Sequence, residues 1–568
     1  MQLRPFIRIA FWLVPLILLL WWRAHTFAPD ILESAGIRIW PVVQGRSEPL
    51  DCDEAAYGYM ARRQVAGDLL YKDLTEYKPP GGYWFYAVAV AIGGADEMTI
   101  RLMVLPVIGV NCILIGCIIQ VLSSRFAAFA SMLLFILLST DPYVFGNGSN
   151  LEHLMNLLLT ASLASYLKYK RDEMQLKWLF MSGLFVGMAA MVKQVCLLGL
   201  LPMIIDQLMT RRMTLQSIRN QVVLATGFGL PIIMTILILA FQDNLRDAKA
   251  DVIEYSRALA ADTPPDAKAP PFFYRWLTGN ADPRNGRLPW PFGRTDWLVW
   301  WGAGSWPIVV LCPLLAIAFF LKYRKLGLQD PSESRQGVNY SIILVLFWLS
   351  CWLMIIMPGL YWQHYYMLLA PPSALIVGYS TGRLIASFKQ SANKSLKLKY
   401  SIGLIAISIS FFATALIQTR DYLMVPAEQL TTKYKGGGQW VTLRLLSEEI
   451  LARTSQFAEK PGLEVWGWQS PLLFYTGMDA PDRYFFTDPL MKAYFQKGHR
   501  LIGPRLDELM QSIREKRPVL IFCGDIPFAE LQKYLQSEYL PSSLTPITPT
   551  GQGLFVRKDL YPAFHSAR

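Results

Sequence analysis

Charge is scarce in this chain. Only 17% of its 568 residues are Asp, Glu, Lys or Arg, against about 25% in an average soluble domain. The apolar share is 53% and the mean hydropathy +0.29, which excludes an ordinary soluble enzyme. A disordered chain is excluded by 18 Trp, 30 Phe and 26 Tyr, because disordered sequences are poor in aromatics. The 7 Cys include no C-x-x-C pair, and Cys112, Cys117, Cys196 and Cys312 lie inside apolar runs. Neither a disulfide framework nor a zinc site is therefore expected. No internal repeat is visible, which speaks against an inverted-repeat transporter. The net charge of +12 would point to nucleic acid in a soluble protein. In a chain this apolar, basic loops facing the cytosol account for it, and no nucleic-acid partner is expected.

What the chain has instead is a series of long apolar runs. A membrane span needs about 20 mostly apolar residues, or about 17 at the short end. Residues 6–22 qualify, and no small-x-small cleavage site follows Trp21, Trp22 and Arg23, so the run reads as a retained first helix. Further runs lie at 98–121, 126–141, 150–167, 177–192, 195–209, 220–241, 297–321, 339–357, 365–382 and 400–418, which makes eleven with the first. The apolar segment 83–94 is too short to cross and reads as a helix lying in the outer interface.

Loop charges test that reading. With a cytosolic N-terminus, the inner loops carry Arg125; Lys168, Lys170 and Arg171; Arg211, Arg212 and Arg219; Lys322, Arg324 and Lys325; and Arg383, Lys389, Lys394, Lys397 and Lys399. The short outer loops at 142–149 and 358–363 carry no Lys or Arg. This is the positive-inside pattern, and it inverts if 83–94 spans.

Three outer stretches are long enough for chemistry: 24–97, 242–296 and 419–568. The expected organisation is a membrane domain over 1–420, with outer loops 24–97 and 242–296, and a small α/β domain over 421–568. In the last stretch, 438–457, 505–516 and 527–537 read as helices, and 463–467 and 518–523 as buried strands. Gly436, Gly437 and Gly438 loosen its entry. It holds no G-x-G-x-x-G, Walker or C-x-x-C motif. Residues 242–262 read as a second surface helix.

The densest polar cluster lies in the first outer stretch, "LDCDEAAYGYMARRQVAGDLLYKDLTEYKPPGGYWFYA" from Leu50. Asp51, Asp53 and Glu54 open a helix that runs to about Ala66. Acids there have a structural explanation, since they cap a helix and complement its dipole. Beside a membrane, and followed by Tyr57, Lys72, Lys78 and paired prolines, two such carboxylates also suit deprotonation of an acceptor hydroxyl or the holding of a divalent cation.

These residues resemble a family. Asp53-Glu54, then Tyr57, Ala61, Gly67, Tyr71, Asp73 and Lys78-Pro79-Pro80 before Tyr83-Trp84, is similar to the first outer loop of the GT-C glycosyltransferases. The match is to the bacterial branch related to protein O-mannosyltransferases and lipid A aminoarabinose transferases. Arg101-Leu102, Glu152 at the outer start of a span, "GLFVGMAAMVKQ" ending at Lys193, and "YWQHYYMLLAPPSALI" from Tyr361 extend the resemblance over roughly residues 1–420. "VWGWQSPLLFYTGMDAPDRYFF" resembles the outer domain of bacterial members less specifically.

The resemblance implies a polytopic α-helical membrane protein of GT-C architecture, with about eleven transmembrane helices and a periplasmic α/β domain. It implies transfer of a sugar from a polyprenyl phosphate to an acceptor hydroxyl on a protein, lipid or glycan, with inversion at the anomeric carbon. Asp53 is carried over as general base. Glu54 and Glu152 orient the acceptor or the base, and Asp51 and Tyr57 shape the site. A divalent cation, Mg or Mn, is open, with Asp51, Asp53 or Glu152 as its ligands. A departing phosphate needs cations already in place, and Lys78, Lys193, His364 and Arg101 are the expected donor-phosphate contacts. His364 stands where the family often has Lys or Arg.

Each contact has a plainer reading. Lys193 is a snorkelling anchor or, as a costly charge at the membrane edge, functional. For Lys78 the two readings are even. His364 reads as a hydrogen-bonding interface residue, and Arg101 as an interface anchor. Trp84, Trp362, Tyr365 and Tyr366 are belt aromatics. The alternative function is a transporter or flippase of a polar lipid, whose ionisable groups belong near the bilayer midplane rather than at its outer edge. A non-catalytic receptor is the third reading, and the acid-rich outer loop argues against it. The expected location is a bacterial inner membrane among its lipids, N-terminus cytosolic and C-terminus periplasmic.

Overall fold

In the computed structural model, residues 3–35, 45–172, 174–210, 214–255, 340–358, 362–390, 394–435, 438–457, 461–487, 490, 503–524, 529–545 and 552–566 are described. The expected span at 297–321, the basic loop at 322–325, most of the second outer stretch, and Gly436 and Gly437 lie outside them. The chain forms two compact units. One comprises 1–47, 101–235 and 271–430, and the other 48–100, 236–270 and 431–568.

The first unit is helical. Helices Leu3–Arg23, Val104–Leu122, Arg125–Ser139, Glu152–Arg171, Leu176–Val192, Tyr340–Ile356, Ala370–Gln390 and Lys394–Met424 cover expected apolar runs. Helix Leu215–Phe241 starts in this unit. Among the described residues, four helical segments are long and apolar enough to cross a membrane: Ile9–Thr26, Glu97–Leu122, Leu215–Phe241 and Ser401–Tyr422. The other apolar helices are shorter. Many of their apolar side chains face outward, among them Ile233, Ile409 and Phe412, as befits helices solvated by lipid. Packing between helices then relies on small residues that let backbones approach. A Cβ on Gly183 would come 2.1 Å from the Leu224 carbonyl oxygen, and one on Gly227 2.2 Å from that of Phe180.

Two runs depart from regular α-helix. Gln194–Leu200 and Gln363–Leu369 are seven-residue 3₁₀ segments that lead into helices Leu201–Thr210 and Ala370–Gln390. Such runs rarely exceed three or four residues and often mark a functional hinge or strain. Asn156 on helix Glu152–Arg171 donates to the Met367 carbonyl at 2.9 Å, which holds the second segment in place.

The second unit combines the first outer loop with the C-terminal residues. Helix Cys52–Val65 packs on helix Gly81–Gly93. Strands β1 (Leu463–Trp466), β2 (Leu520–Cys523), β3 (Tyr539–Pro541) and β4 (Gly553–Arg557) form one sheet in the order β1-β2-β4-β3. β1 and β2 are parallel, and β4 is antiparallel to both its neighbours. Helices Gly503–Lys516 and Ala529–Glu538 bury Leu509, Met510, Ile513, Leu531 and Leu535 in a core with Trp466 and Ile521. The second outer stretch opens as helix Leu245–Lys249 and a π-helical turn, Ala250–Tyr255.

Candidate active site

Each unit gathers expected site residues into a cluster of its own. In the second unit the cluster starts at the N-terminus of helix Cys52–Val65. Asp51 is the N-cap, and its Oδ1 accepts from the amides of Asp53 and Glu54, both at 3.1 Å. Glu54 Oε2 accepts in return from the Asp51 amide at 3.1 Å, completing a capping box. Behind the box lies Lys435, fully buried, its Nζ 3.5 Å from Glu48 Oε1, 3.6 Å from Asp51 Oδ2 and 3.6 Å from Glu54 Oε2. Burial, and then the Glu54 carboxylate, push the Asp51 carboxyl up to about 7 against the pull of Lys435.

Asp53 is placed differently from its neighbours. It is half-buried, where Asp51 and Glu54 are buried. One turn on, at the i+4 position of the same helical face, stands Tyr57, whose ring lies 5.5 Å from Lys78 Nζ. Burial, and then the nearby Asp53, raise the Tyr57 phenol well above its usual range, so it stays neutral. Its ring meets those of Tyr83 and Tyr86 edge-on at 5.5 and 5.3 Å.

Lys78 is held from several sides. Its Nζ is 3.4 Å from Glu76 Oε1 and 4.4 Å from the centre of the Tyr77 ring. Burial works against its charge, yet Glu76 above all holds the ammonium well above the ordinary lysine range. The loop that delivers it contains Tyr71 at φ 74°, a conformation costly for a bulky residue. Three bonds fix that conformation. The Tyr71 hydroxyl donates to the Lys78 carbonyl at 2.8 Å, its amide donates to Leu74 O at 2.7 Å, and its carbonyl accepts from Arg483 at 3.2 Å. Asp251 Oδ2 accepts from the Glu76 amide at 3.4 Å, and its Oδ1 accepts from Arg505 at 2.6 Å.

In the first unit, Glu152 opens its helix, and its Oε1 lies 3.1 Å from Lys193 Nζ and 4.0 Å from His364 Nε2. Lys193 immediately precedes one 3₁₀ segment and His364 lies in the other. The ammonium also stands 3.5 Å from the centre of the Tyr365 ring, a cation–π contact. Three expected residues thus meet, and Tyr365, read as a belt aromatic, is buried and in contact with them. Arg101 is fully buried and its Nη1 donates to Asn147 O at 3.4 Å. Arg23 is also fully buried, and donates to the carbonyls of Gly146 at 2.6 Å and Gly148 at 3.2 Å. The two guanidinium groups therefore fix the backbone that leads into Glu152.

Lys435, Glu48, Glu76, Asp251 and Arg505 carry no signal in the sequence that assigns them to this cluster, because their partners are distant in the chain. As to a metal, no group of three His, Cys, Asp or Glu side chains among the described residues could hold one. Asp51 has one oxygen in the helix cap and the other facing Lys435.

Residues 77–239 match the family model described as dolichyl-phosphate-mannose-protein mannosyltransferase. No curated protein matches the chain. Among solved structures, ArnT from Cupriavidus metallidurans in the apo state is similar over 97% of this chain and 98% of its own, with TM-score 0.56 and 13% identity. The same enzyme bound to undecaprenyl phosphate is similar over 96% and 97%, again at TM-score 0.56 and 13% identity. The archaeal oligosaccharyltransferase AglB from Archaeoglobus fulgidus, in complex with an inhibitory peptide and a dolichol-phosphate, is similar over 98% of this chain and 74% of its own, at TM-score 0.53 and 10% identity. At these identities the likeness is one of fold. With the apolar helices it marks a multi-pass membrane protein, in which residues 77–239 are similar to the mannosyltransferase family model and the chain as a whole shares the fold of ArnT and AglB.

Proposed function

We propose that this protein transfers a sugar from a polyprenyl phosphate to an acceptor hydroxyl on the outer face of a bacterial inner membrane. Asp53 takes the hydroxyl proton as the oxygen attacks the anomeric carbon. The bond from that carbon to the phosphate oxygen breaks from the opposite side, with inversion, and the electron pair leaves with the polyprenyl phosphate. Negative charge grows on the leaving phosphate, so cations already in place favour the transition state over the bound donor. Lys78 and Lys193 are the proposed donor-phosphate contacts, each paired with a carboxylate of its own cluster, Glu76 or Glu152. His364 supports Glu152 within its cluster.

The observation that carries this reading is the division of work among the three acids. Asp51 and Glu54 are engaged by the capping box and Lys435, while Asp53 is half-buried on the face that also presents Tyr57. A general base has to be within reach of the proton it takes, and of the three acids Asp53 is the one that is not fully buried. The fold shared with an enzyme solved with undecaprenyl phosphate supports the choice of donor. Mass spectrometry of lipid extracts tests it in cells: loss of the protein should cause one polyprenyl-phosphate sugar to accumulate, and an unchanged lipid profile counts against the proposal. Orientation is tested with Leu540→Cys in an otherwise Cys-free chain. A membrane-impermeant thiol reagent applied to cells with a permeabilised outer membrane should label it, and protection there excludes a periplasmic C-terminus.

A further inference from the structure

Lys435 is the most completely enclosed cation in the acid cluster: its side chain and that of Glu48 have no exposed surface, and Glu54 none. A buried ion pair broken on one side is strongly destabilising, because the remaining charge is left without compensation. Here three carboxylates face one ammonium. Their geometry does more than balance charge. Asp51 divides its oxygens, Oδ1 to the amides of Asp53 and Glu54 and Oδ2 toward Lys435. Glu54 Oε2 both accepts from the Asp51 amide and faces the same ammonium. The capping box and the ion cluster therefore share atoms, and the ammonium closes the box from behind.

Lys435 itself is anchored at both ends of its backbone. Its amide donates to Thr431 O at 2.9 Å, and its carbonyl accepts from Trp440 Nε1 at 2.8 Å. Trp440 in turn packs edge-on against Trp468, ring centres 5.4 Å apart. Residues 50–52 receive two more bonds from the C-terminal part of the unit. Tyr475 Oη accepts from the Leu50 amide at 2.8 Å, and Ser470 Oγ donates to Cys52 O at 2.6 Å.

We propose that Lys435 is a positioning residue for the reaction: it fixes the first turn of helix Cys52–Val65, and through the amide of Asp53 the aim of that side chain. This rests on the reading of Asp53 as general base. The role belongs to chemistry rather than to donor binding, so its loss should lower kcat and leave the donor KM nearly unchanged. A displacement of about 1 Å at a reacting group can cost up to about 100-fold.

The test compares Lys435→Met, Lys435→Arg and Lys435→Met/Glu48→Gln in the full-length protein. The double variant removes one negative charge along with the lysine and leaves both capping-box side chains intact, so it keeps the test open if Lys435→Met fails to fold. Turnover of a polyprenyl-phosphate sugar and hydrogen exchange at the Asp53 and Glu54 amides are both measured. The expected result is a fall in kcat of about 10-fold to 100-fold in the folded Met variants, donor KM within about twofold, faster exchange at both amides, and partial rescue by Arg, which keeps the charge in a different geometry. A folded double variant with wild-type kcat and wild-type exchange overturns the proposal. Faster exchange in a protein whose wild type turns over no lipid-linked sugar leaves the cap role standing and rejects the reading of Asp53 instead.

Discussion

Two groups of buried acids lie in the same unit and differ in one respect. Glu48, Asp51 and Glu54 surround a lysine. Glu464 on β1 and Asp482 face each other electrostatically without one. Both Glu464 oxygens and Asp482 Oδ2 are buried and without a hydrogen-bond partner, and no ion pair joins either acid to a cation among the described residues. Burial raises both, Asp482 to about 7 with Glu508 adding to it, and Glu464 well above the carboxylate range with Asp482 adding to it. Lys516 and Arg483 temper Asp482 only partly. The first group shares a lysine at a helix start; the second pair is uncompensated and is accommodated by keeping protons. Burial does not separate them, since Asp51 is also raised to about 7; what differs is the cation that the carboxylates of the first group share.

The comparison is sharpened first where the effect is largest. Asp53→Asn keeps the size and removes the proton acceptor, so turnover should fall at least ~100-fold while the thermal melt is unchanged. Near-normal turnover moves the base to Glu54 or Asp51 and dissolves the contrast between capping acids and the base. In the other unit, Lys193→Met should reduce donor affinity and slow transfer, each on the order of 10-fold, the scale of a hydrogen bond to a charged group. Lys193→Arg should recover part of the loss. If Lys193→Met binds and turns over donor like the wild type, Lys193 is a snorkelling anchor.

The uncompensated pair should show the opposite profile, with little effect on turnover and a change in pH dependence. Because its folded pKa values are raised, the native state retains protons that the unfolded chain has released. The pair's contribution to stability is fully present below about pH 4, where unfolded acids are protonated, and is lost as pH rises through the folded values, about 7 for Asp482. The slope is about 1.4 kcal/mol per pH unit for each proton retained. Melts followed by tryptophan fluorescence should therefore fall from pH 5 to pH 8. Glu464→Gln should flatten that fall and leave kcat at neutral pH within about twofold, since neither acid of the pair is assigned a part in the transfer. An equal pH slope in both proteins removes the pair as the cause.

How much of this was legible depends on the range of the interaction. Apolar runs are local, so the helices of the first unit and strands β1 and β2 follow from the sequence, as do helices Gln439–Thr454, Gly503–Lys516 and Ala529–Glu538. Strands β3 and β4 are only three and five residues long, and the sequence does not single them out. Asp51 as a cap is local too, and its structural reading is what the structure shows. Lys435 stands next to three glycines and reads as part of a linker; its partners are nearly the whole membrane region away in the chain. Glu464 lies in an apolar strand, where nothing local says whether a cation faces it. The 3₁₀ segments beside Lys193 and around His364 are equally hidden, since nothing in QVCLLGL or QHYYMLL separates a 3₁₀ turn from the start of the α-helix that follows.

The central claim is sugar transfer from a polyprenyl phosphate with Asp53 as base. The most direct measurement is release of polyprenyl phosphate by purified protein given undecaprenyl-phosphate sugars and a membrane extract as acceptor source. Wild-type protein should release it with time, and Asp53→Asn at least ~100-fold more slowly. Equal release by the two proteins would contradict the role of Asp53, and no release above a protein-free control with any donor sugar would contradict glycosyl transfer itself.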